Sequence, residues 1–422
     1  MILLKNLKTN FVKLTKNLGP GFVTGASDND PSGIGTYSIA GAQYGLLCLW
    51  LIPFLLPFMI AIQEMCSRIG VVTRKGLTAN IKENFPKPIL YCAVLILLFA
   101  NIFNIGANLA IMAEAIKLLF GGKLIFWMIF LTLTITFMEI FIRYRDYSRI
   151  LVFFSLFLLV YVATAFTVNQ NWLDIFKFTF FPKFNFSKGF IFVATGFIGT
   201  TISPYLFFWQ PSQEIEDLND DNNLKNLENL KKTIKKKRTK TAIGMAFSQI
   251  ITFFIIITCF STLHKNGITK IENAAQAASA LKPLAGDFAF IFFTLGILGA
   301  GFLGVSVLAG SAAYALAETF NFKQGLSYKF REAKFFYSII AVSTFIGFFI
   351  NFIGINPIKA LFYAAIINGI STVPFIIIIL ILANKKKVMA EYKNKFISNF
   401  LGIATFFLMF LSALLIFWQI IF

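Results

Sequence analysis

The chain has 422 residues, of which 57% are hydrophobic and only 14% are charged, and it contains 54 phenylalanines. Soluble proteins average about 45–50% apolar and about 25% charged residues, so this composition excludes a water-soluble globule. The four cysteines share no Cys-x-x-Cys spacing, which excludes a disulfide scaffold and a thiolate metal site. We therefore predict a single transmembrane domain over residues 1–422.

Eleven apolar stretches alternate with polar loops, and most approach the roughly 20 residues needed to cross the hydrocarbon core. The net charge is +19, and lysine and arginine concentrate in every second loop when the N-terminus is placed in the cytoplasm. This positive-inside pattern orients a multi-pass protein in the cell membrane and replaces nucleic acid as the explanation of the charge. The predicted spans cover residues 18–45, 46–69, 88–120, 124–142, 149–168, 187–211, 241–263, 287–320, 335–355, 357–383 and 396–421.

The segment 213–240 separates the sixth and seventh predicted spans. It begins with acidic residues and ends in a run of lysine and arginine. We interpret it as a charged cytoplasmic loop whose basic end contacts anionic lipid headgroups. A regulatory role for this loop is the alternative.

Two predicted spans are interrupted by proline and glycine. The first interruption is GPGFVTGASDNDPSGIG at 19–35, around Pro31, and the second is TGFIGTTISPYLFFWQPSQE at 195–214, around Pro204. Interrupted backbone is tolerated at membrane depth only where it lines a cavity or is buried in protein. Paired interruptions in matching positions of two halves indicate the substrate site of a transporter, whereas two ordinary proline kinks are the alternative.

These breaks predict an all-α integral membrane protein of about eleven helices with an inverted-repeat architecture. Helices 1–5 over 18–168 form the first repeat, helices 6–10 over 187–383 form the second, and the helix at 396–421 is an addition. The broken helices 1 and 6 then meet at the interface of the repeats, where transporters of this kind bind their substrate.

Asp28 and Asp30 lie inside the first break. Counted from Leu18 at about 1.5 Å per residue, Asp30 is roughly 18 Å into a hydrocarbon core about 30 Å thick. A carboxylate at that depth costs at least a few kcal/mol without a partner, and no lysine or arginine lies at matching depth in any predicted span. A transported cation would neutralise it. The alternative is a structural aspartate that caps the helix beginning near Pro31.

The side chains near the two breaks are carboxylates, hydroxyls and an amide, and neither break contains cysteine, methionine or histidine. Such a set suits hard ions such as Mg²⁺, Mn²⁺ or Ca²⁺ and lacks the soft ligand that favours later transition metals. The ion would be the substrate, and no cofactor is expected. The set comprises Ser27, Asp28, Asn29, Asp30, Ser32, Thr200, Thr201 and Ser203.

Three motifs resemble the Nramp (natural resistance-associated macrophage protein) divalent-metal transporters. They are GPGFVTGASDNDPSGIG with the following GAQYG in helix 1, QEMCSRIGVVTRKGL at 63–77, and IGTTISPYLFFWQ in helix 6, and the resemblance runs from about residue 18 to at least residue 383. Family members have a LeuT-type fold of two inverted five-helix repeats. They import Mn²⁺, Fe²⁺ and related ions, usually with protons, so the resemblance implies a transporter and not an enzyme.

The resemblance also implies the metal ligands, and this chain departs from the family at two of them. The family aspartate falls on Asp30, and the helix 6 carbonyl falls on Thr200. The family asparagine falls on Gly33 and the family methionine on Ser203, so both of those side-chain ligands are missing. Asp28 is a further candidate ligand because it shares the break with Asp30.

The residues that move protons in the family are also replaced. The histidine after the helix 6 proline is Tyr205, and the helix 3 acids align with Asn104 and Asn108. None of these side chains titrates near neutral pH. Nramp-related magnesium transporters also replace the methionine and lose proton coupling, so we expect weak or absent coupling here. Ser32 and, in helix 10, Asn368 complete the candidate pathway residues.

The predicted function is a secondary transporter that carries a divalent cation of the Mn²⁺/Mg²⁺/Fe²⁺ class into the cytoplasm. A LeuT-fold carrier of amino acids or another small organic solute is the alternative, although an unpaired aspartate would repel a substrate carboxylate. A membrane enzyme or scaffold is a third class, but the spans contain no nucleophile–base pair. The expected partners are the cation and the lipid bilayer, and a monomer is compatible with the sequence.

Overall fold

The computed structural model describes residues 19–144, 153, 156–219 and 227–421, and all regular secondary structure in these ranges is helical. We number the α-helices of the described ranges α1 (19–28), α2 (Pro31–Tyr44), α3 (Leu51–Thr73), α4 (Leu77–Asn84), α5 (Lys87–Phe120), α6 (Leu124–Phe141), α7 (Leu159–Thr167), α8 (Trp172–Phe180), α9 (Lys188–Thr201), α10 (Pro204–Asn219), α11 (Leu227–Thr262), α12 (Ala274–Ser279), α13 (Lys282–Ala285), α14 (Ala289–Phe320), α15 (Lys334–Ile350), α16 (Pro357–Asn384), α17 (Lys386–Met389) and α18 (Phe396–Ile421).

Nine spans in the described ranges are long and apolar enough to cross a membrane, or ten if the bent pair formed by Leu156–Thr167 and Trp172–Phe180 counts as one span. The predicted all-α membrane architecture is confirmed, but the count of eleven is not. The predicted span 18–45 is divided into α1 and α2, and neither part, as described, reaches the length of a span. The start of the predicted span 149–168 falls largely outside the described residues.

Both predicted breaks are present. Asn29 and Asp30 separate α1 from α2, and Ile202 and Ser203 separate α9 from α10. The helix that follows each break begins with a proline, Pro31 in α2 and Pro204 in α10. Proline is favoured there because its missing N–H group costs no hydrogen bond in the first helical turn. A proline ring disfavours the helical conformation of the residue before it, and Asp30 accordingly has extended backbone angles (φ −64°, ψ 169°).

The helices around the breaks bury them inside the protein. Helix α14 lies along α5, α11 lies along α3 and α2, and α16 contacts α2, α5 and α9. Asp28, Asp30, Thr200 and Ser203 are each no more than 2% exposed. The interrupted backbone is therefore enclosed by protein rather than exposed to lipid, as its unpaired polar groups require.

The described parts of the charged segment 213–240 are helical. Helix α10 continues to Asn219 and α11 already begins at Leu227, while residues 220–226 lie outside the described ranges. Leucine, lysine and glutamate favour helix, which explains why both ends remain helical despite their charge. An ion pair of 3.2 Å between Lys237 Nζ and Asp217 Oδ2 joins the two helical ends.

Candidate metal centre

Asp30 caps the N-terminus of α2. Its Oδ1 atom accepts the backbone N–H of Gly33 at 3.0 Å and the hydroxyl of Ser32 at 2.6 Å. The capping role considered from the sequence is therefore confirmed. The cap fixes the orientation of the carboxylate and places it at the positive end of the α2 dipole, which favours a negative charge.

The second oxygen of Asp30 faces α5. Asn108 Nδ2 donates to Asp30 Oδ2 at 2.9 Å. On the neighbouring helix α14, a Cβ atom placed on Gly304 would lie only 2.7 Å from the Asp30 Cβ atom, so glycine is what allows this close approach. Asn104, one turn before Asn108, interacts electrostatically with the same carboxylate.

The Asp28 side chain bonds to α11. Ser248 Oγ donates to Asp28 Oδ2 at 2.6 Å, whereas the buried Oδ1 atom has no hydrogen-bond partner among the described residues. The intervening Asn29 also bonds to α11, through the carbonyl of Ser248 at 3.2 Å and the hydroxyl of Thr252 at 3.3 Å. The carboxylate of Asp28 thus has one donor, whereas that of Asp30 has three.

The second break carries the predicted ligands Thr200 and Ser203. Ser203 Oγ donates to the Thr200 carbonyl at 2.8 Å and to the Gly199 carbonyl at 3.3 Å. The adjacent Ile202 carbonyl accepts the hydroxyl of Thr372 from α16 at 2.9 Å. The Ser203 hydroxyl therefore bonds to the backbone of the preceding turn, including the carbonyl of the predicted ligand Thr200.

The two breaks lie against each other. A Cβ atom on Gly33 would lie 3.1 Å from the Asp28 carbonyl oxygen and 3.5 Å from Thr200 Oγ1, so residue 33 is at their junction. Tyr205 Oη donates across the junction to the Ser27 carbonyl at 3.0 Å. The tyrosine that stands in place of the expected histidine thus satisfies one of the carbonyls released where α1 ends.

Asn368 also lies near the second break, on α16. Its side chain is fully buried, and neither amide atom has a hydrogen-bond partner in the described part of the chain. Thr372, four residues later and on the same helix face, donates to the Ile202 carbonyl, which places this face of α16 against the break. Asn368 therefore lies on the face of α16 that contacts the break.

The structure brings the predicted residues of the two breaks together and adds three that the sequence analysis missed. Ser248 and Thr252 contact the acidic segment from α11, and Gly304 contacts it from α14. Hydroxyl groups in an apolar helix are common, and nothing in the sequence pairs them with Asp28 or Asn29. The run of small residues at 296–315 indicates close packing but does not identify the glycine that meets Asp30.

The donor set at the junction consists of oxygen atoms and amides. Within the described ranges, Asp28 and Asp30 form no ion pair with lysine or arginine, and no group of three histidine, cysteine, aspartate or glutamate residues is placed to hold a metal. A cation bound here would be held by carboxylate, carbonyl, hydroxyl and amide oxygens, which favours hard ions.

The family model described as natural resistance-associated macrophage protein-like matches residues 21–419. The chain belongs to the Nramp family. This membership confirms the resemblance noted in the motifs. A divalent metal cation transporter, MntH, of Caldanaerobacter subterraneus is 24% identical to this Nramp chain over an alignment of 419 residues. The match covers 96% of this chain and 93% of the relative. The protein of the same name in Klebsiella pneumoniae is 23% identical and covers 89% and 87%, respectively.

Solved structures support the same fold for this Nramp protein. A manganese transporter of Eremococcus coleocola superposes with a TM-score of 0.78 at 15% identity, over 95% of this chain and 86% of that one. Mhp1, a nucleobase-cation-symport-1 family transporter, superposes with a TM-score of 0.59 at 13% identity, over 95% and 90%. At these identities the likeness concerns the fold alone, and it agrees with the predicted LeuT-type architecture.

Proposed function

We propose that this Nramp protein is a secondary transporter that carries a divalent metal cation by alternating access. The observation that carries the proposal is the buried, capped carboxylate of Asp30, which has no basic partner among the described residues and lies where two broken helices meet. A buried charge without a counterion is costly, and a transported cation would supply that counterion. The chain's membership of the Nramp family and its MntH relatives support the same conclusion.

The proposed ligands are Asp30 as the main side-chain ligand and the Thr200 carbonyl, with the Ser203 side chain and Asp28 nearby. Gly33 contributes no side chain, and its Cα lies close to the Asp28 carbonyl and to Thr200. These oxygens favour Mn²⁺ or Mg²⁺ over softer ions. A carrier of amino acids or another organic solute is not supported by the relatives, whose names specify divalent metal cations.

The protein is a multi-pass membrane protein, and we further propose that it lies in the cell membrane with its N-terminus in the cytoplasm. Basic residues in alternate loops support this orientation. The inside-negative membrane potential would then favour cation entry by about 2.3 kcal/mol per charge per 100 mV. Tyr205, Asn104 and Asn108 replace the residues that move protons in the family, which supports transport that is uncoupled or only weakly coupled to protons.

The experiment that tests this proposal is uptake by purified protein in liposomes that contain a metal-sensitive and a pH-sensitive dye. Mn²⁺ and Mg²⁺ are supplied outside, with a mixed amino-acid panel as the alternative substrate. We expect saturable metal entry without matching acidification of the lumen. Acidification that saturates with metal and disappears in Asp30→Asn would show proton coupling, and amino-acid uptake without metal uptake would contradict the proposed substrate.

The Asp30→Asn variant separates charge from structure. Asparagine caps helices about as well as aspartate, so the contact with the Gly33 N–H survives while the charge is lost. We expect metal uptake to fall at least roughly tenfold with normal folding, equivalent to about 1.4 kcal/mol of binding free energy. Asp174→Asn, in α8 and outside both breaks, is the matched control. Unchanged uptake in Asp30→Asn, or a loss confined to Asp28→Asn, would contradict the assignment of the main ligand to Asp30.

A further inference from the structure

Asn104 is a buried amide without a hydrogen-bond partner among the described residues. Its side chain is 0% exposed, and neither Oδ1 nor Nδ2 makes a hydrogen bond within these ranges. An amide that loses water without gaining a partner destabilises a protein. Such a group is rare in native structures and requires an explanation, and one explanation is a ligand that the amide meets during the functional cycle.

The neighbouring asparagines on the same face of α5 are bonded to protein groups. Asn101 Nδ2 donates to the Leu308 carbonyl at 2.9 Å and to Ser311 Oγ at 3.2 Å, which fastens α5 to α14. Asn108 donates to Asp30 Oδ2. Asn104 lies between them and interacts electrostatically with the Asp30 carboxylate, but the contact lacks the geometry of a hydrogen bond. Asn101 and Asn108 leave only their Oδ1 atoms without a partner among the described residues, whereas Asn104 leaves both amide atoms unpaired beside the carboxylate.

The amide in the first break is bonded to another helix. Asn29 bonds to Ser248 and Thr252 on α11, and Gly33, which lies between the Asp28 carbonyl and Thr200, has no side chain. We propose that Asn104 Oδ1 is a direct ligand of the transported divalent cation and supplies from α5 the amide oxygen that α2 lacks. This inference rests on the proposed function, because it assigns a further ligand to the same site.

A half-turn of the amide lets Asn104 serve both the empty and the loaded site. Without an ion, the Nδ2 side of the amide is the one attracted to the Asp30 carboxylate. With a cation between them, rotation about the terminal side-chain torsion turns Oδ1 toward the charge, and this torsion has two nearly equivalent orientations. Hard divalent cations bind amide oxygens of asparagine readily, so the rotated side chain is a suitable ligand.

Binding of Mn²⁺ to the purified full-length protein, measured by titration calorimetry, tests the proposal with Asn104→Leu. Leucine has a similar volume and no ligand atom. We expect Mn²⁺ binding to weaken at least tenfold, while the thermal stability of the metal-free protein stays the same or rises because a buried unpaired amide is removed. The rise in Tm that Mn²⁺ produces in the wild type should shrink accordingly. A purely structural role would instead lower the stability of the metal-free protein.

Two further variants are matched controls. Asn101→Leu changes the same residue type one turn away, and we expect it to lower stability and leave Mn²⁺ affinity within twofold. Asn104→Asp keeps an oxygen ligand and should retain Mn²⁺ binding. If Asn104→Leu does not fold, Asn104→Ala is judged by the same criterion.

The outcomes separate this inference from the proposed function. Mn²⁺ affinity within twofold of wild type in Asn104→Leu, together with loss of binding in Asp30→Asn, would overturn the role of Asn104 and leave the metal site in place. Absence of Mn²⁺ and Mg²⁺ binding in the wild-type protein would instead overturn the proposed function.

Discussion

Replacing Ser203 with methionine should shift the preference of the site toward soft metals. In the structure the Ser203 hydroxyl donates to the Thr200 carbonyl at 2.8 Å, and that carbonyl is a proposed ligand. Methionine removes this donor and adds a polarizable sulfur at the break. A thioether binds late transition metals such as Cd²⁺ and is a poor ligand for Mg²⁺.

The structure separates two effects of this substitution. The hydroxyl bond to the Thr200 carbonyl has a net value of about 0.5–1.5 kcal/mol, so its removal should raise the affinity for any cation by roughly two- to tenfold. The sulfur acts only on soft ions, and we expect the ratio of Cd²⁺ to Mg²⁺ affinity to rise at least tenfold. Ser203 is 2% exposed, so the larger side chain should also lower the free energy of unfolding by about 1–3 kcal/mol through overpacking.

Ser203→Ala is the matched variant, because it removes the hydroxyl without adding sulfur. Titration calorimetry with Cd²⁺ and Mg²⁺ on wild type, Ser203→Ala and Ser203→Met measures the affinity ratio in each protein. We expect an unchanged ratio in Ser203→Ala and an increased ratio in Ser203→Met. The same ratio in all three folded proteins would refute the reasoning, since it would mean that the side chain at position 203 does not face the ion.

Two further substitutions test the packing against Asp30 and the contact that Glu216 makes with residues 326 and 327. Gly304→Ala should weaken Mn²⁺ binding at least roughly tenfold, because the added Cβ atom would lie 2.7 Å from the Cβ atom of Asp30. Gly310→Ala is the control, since its Cβ atom would come no closer than 3.4 Å to Trp209, and equal Mn²⁺ affinities of the two variants by calorimetry would contradict the close approach. Glu216→Gln should lower the free energy of unfolding by about 1–3 kcal/mol and speed amide hydrogen exchange at 325–328, since the carboxylate accepts the N–H groups of Leu326 and Ser327, each at 2.9 Å. Glu83→Gln, in an exposed pair with Lys75, should change neither quantity much, and an equal response would contradict the argument.

The membrane fold could be predicted because its main determinants are local. Apolar stretches of about 20 residues fix the helices, and Pro31 and Pro204 fix where two of them are interrupted. The helical structure of the described parts of the charged segment 213–240 is not evident from its charge pattern. Its residues favour helix, and the ion pair between Lys237 and Asp217 stabilises the two helical ends.

The site could be predicted only in part, because the rotation of an apolar helix about its axis has no local signature. Helix α5 is apolar around nearly its whole circumference, so no stripe indicates which face carries its asparagines into the interior. The structure shows that Asn101, Asn104 and Asn108 share one face, toward α14 and Asp30. Residue type alone could not divide them into a packing contact, an unpaired amide and a partner of the carboxylate.

The two aspartates of the first break show the same limit at closer range. They are two residues apart in sequence, similarly buried, and both lack a basic partner in the described ranges. Asp30 precedes a proline and therefore becomes a helix cap, which turns its carboxylate toward Asn108 on α5. Asp28 belongs to the last turn of α1 and turns toward Ser248 on α11. The proline thus decides which carboxylate is held by three donors in a fixed orientation, and a fixed carboxylate at the junction of the breaks is the better-prepared ligand for a cation.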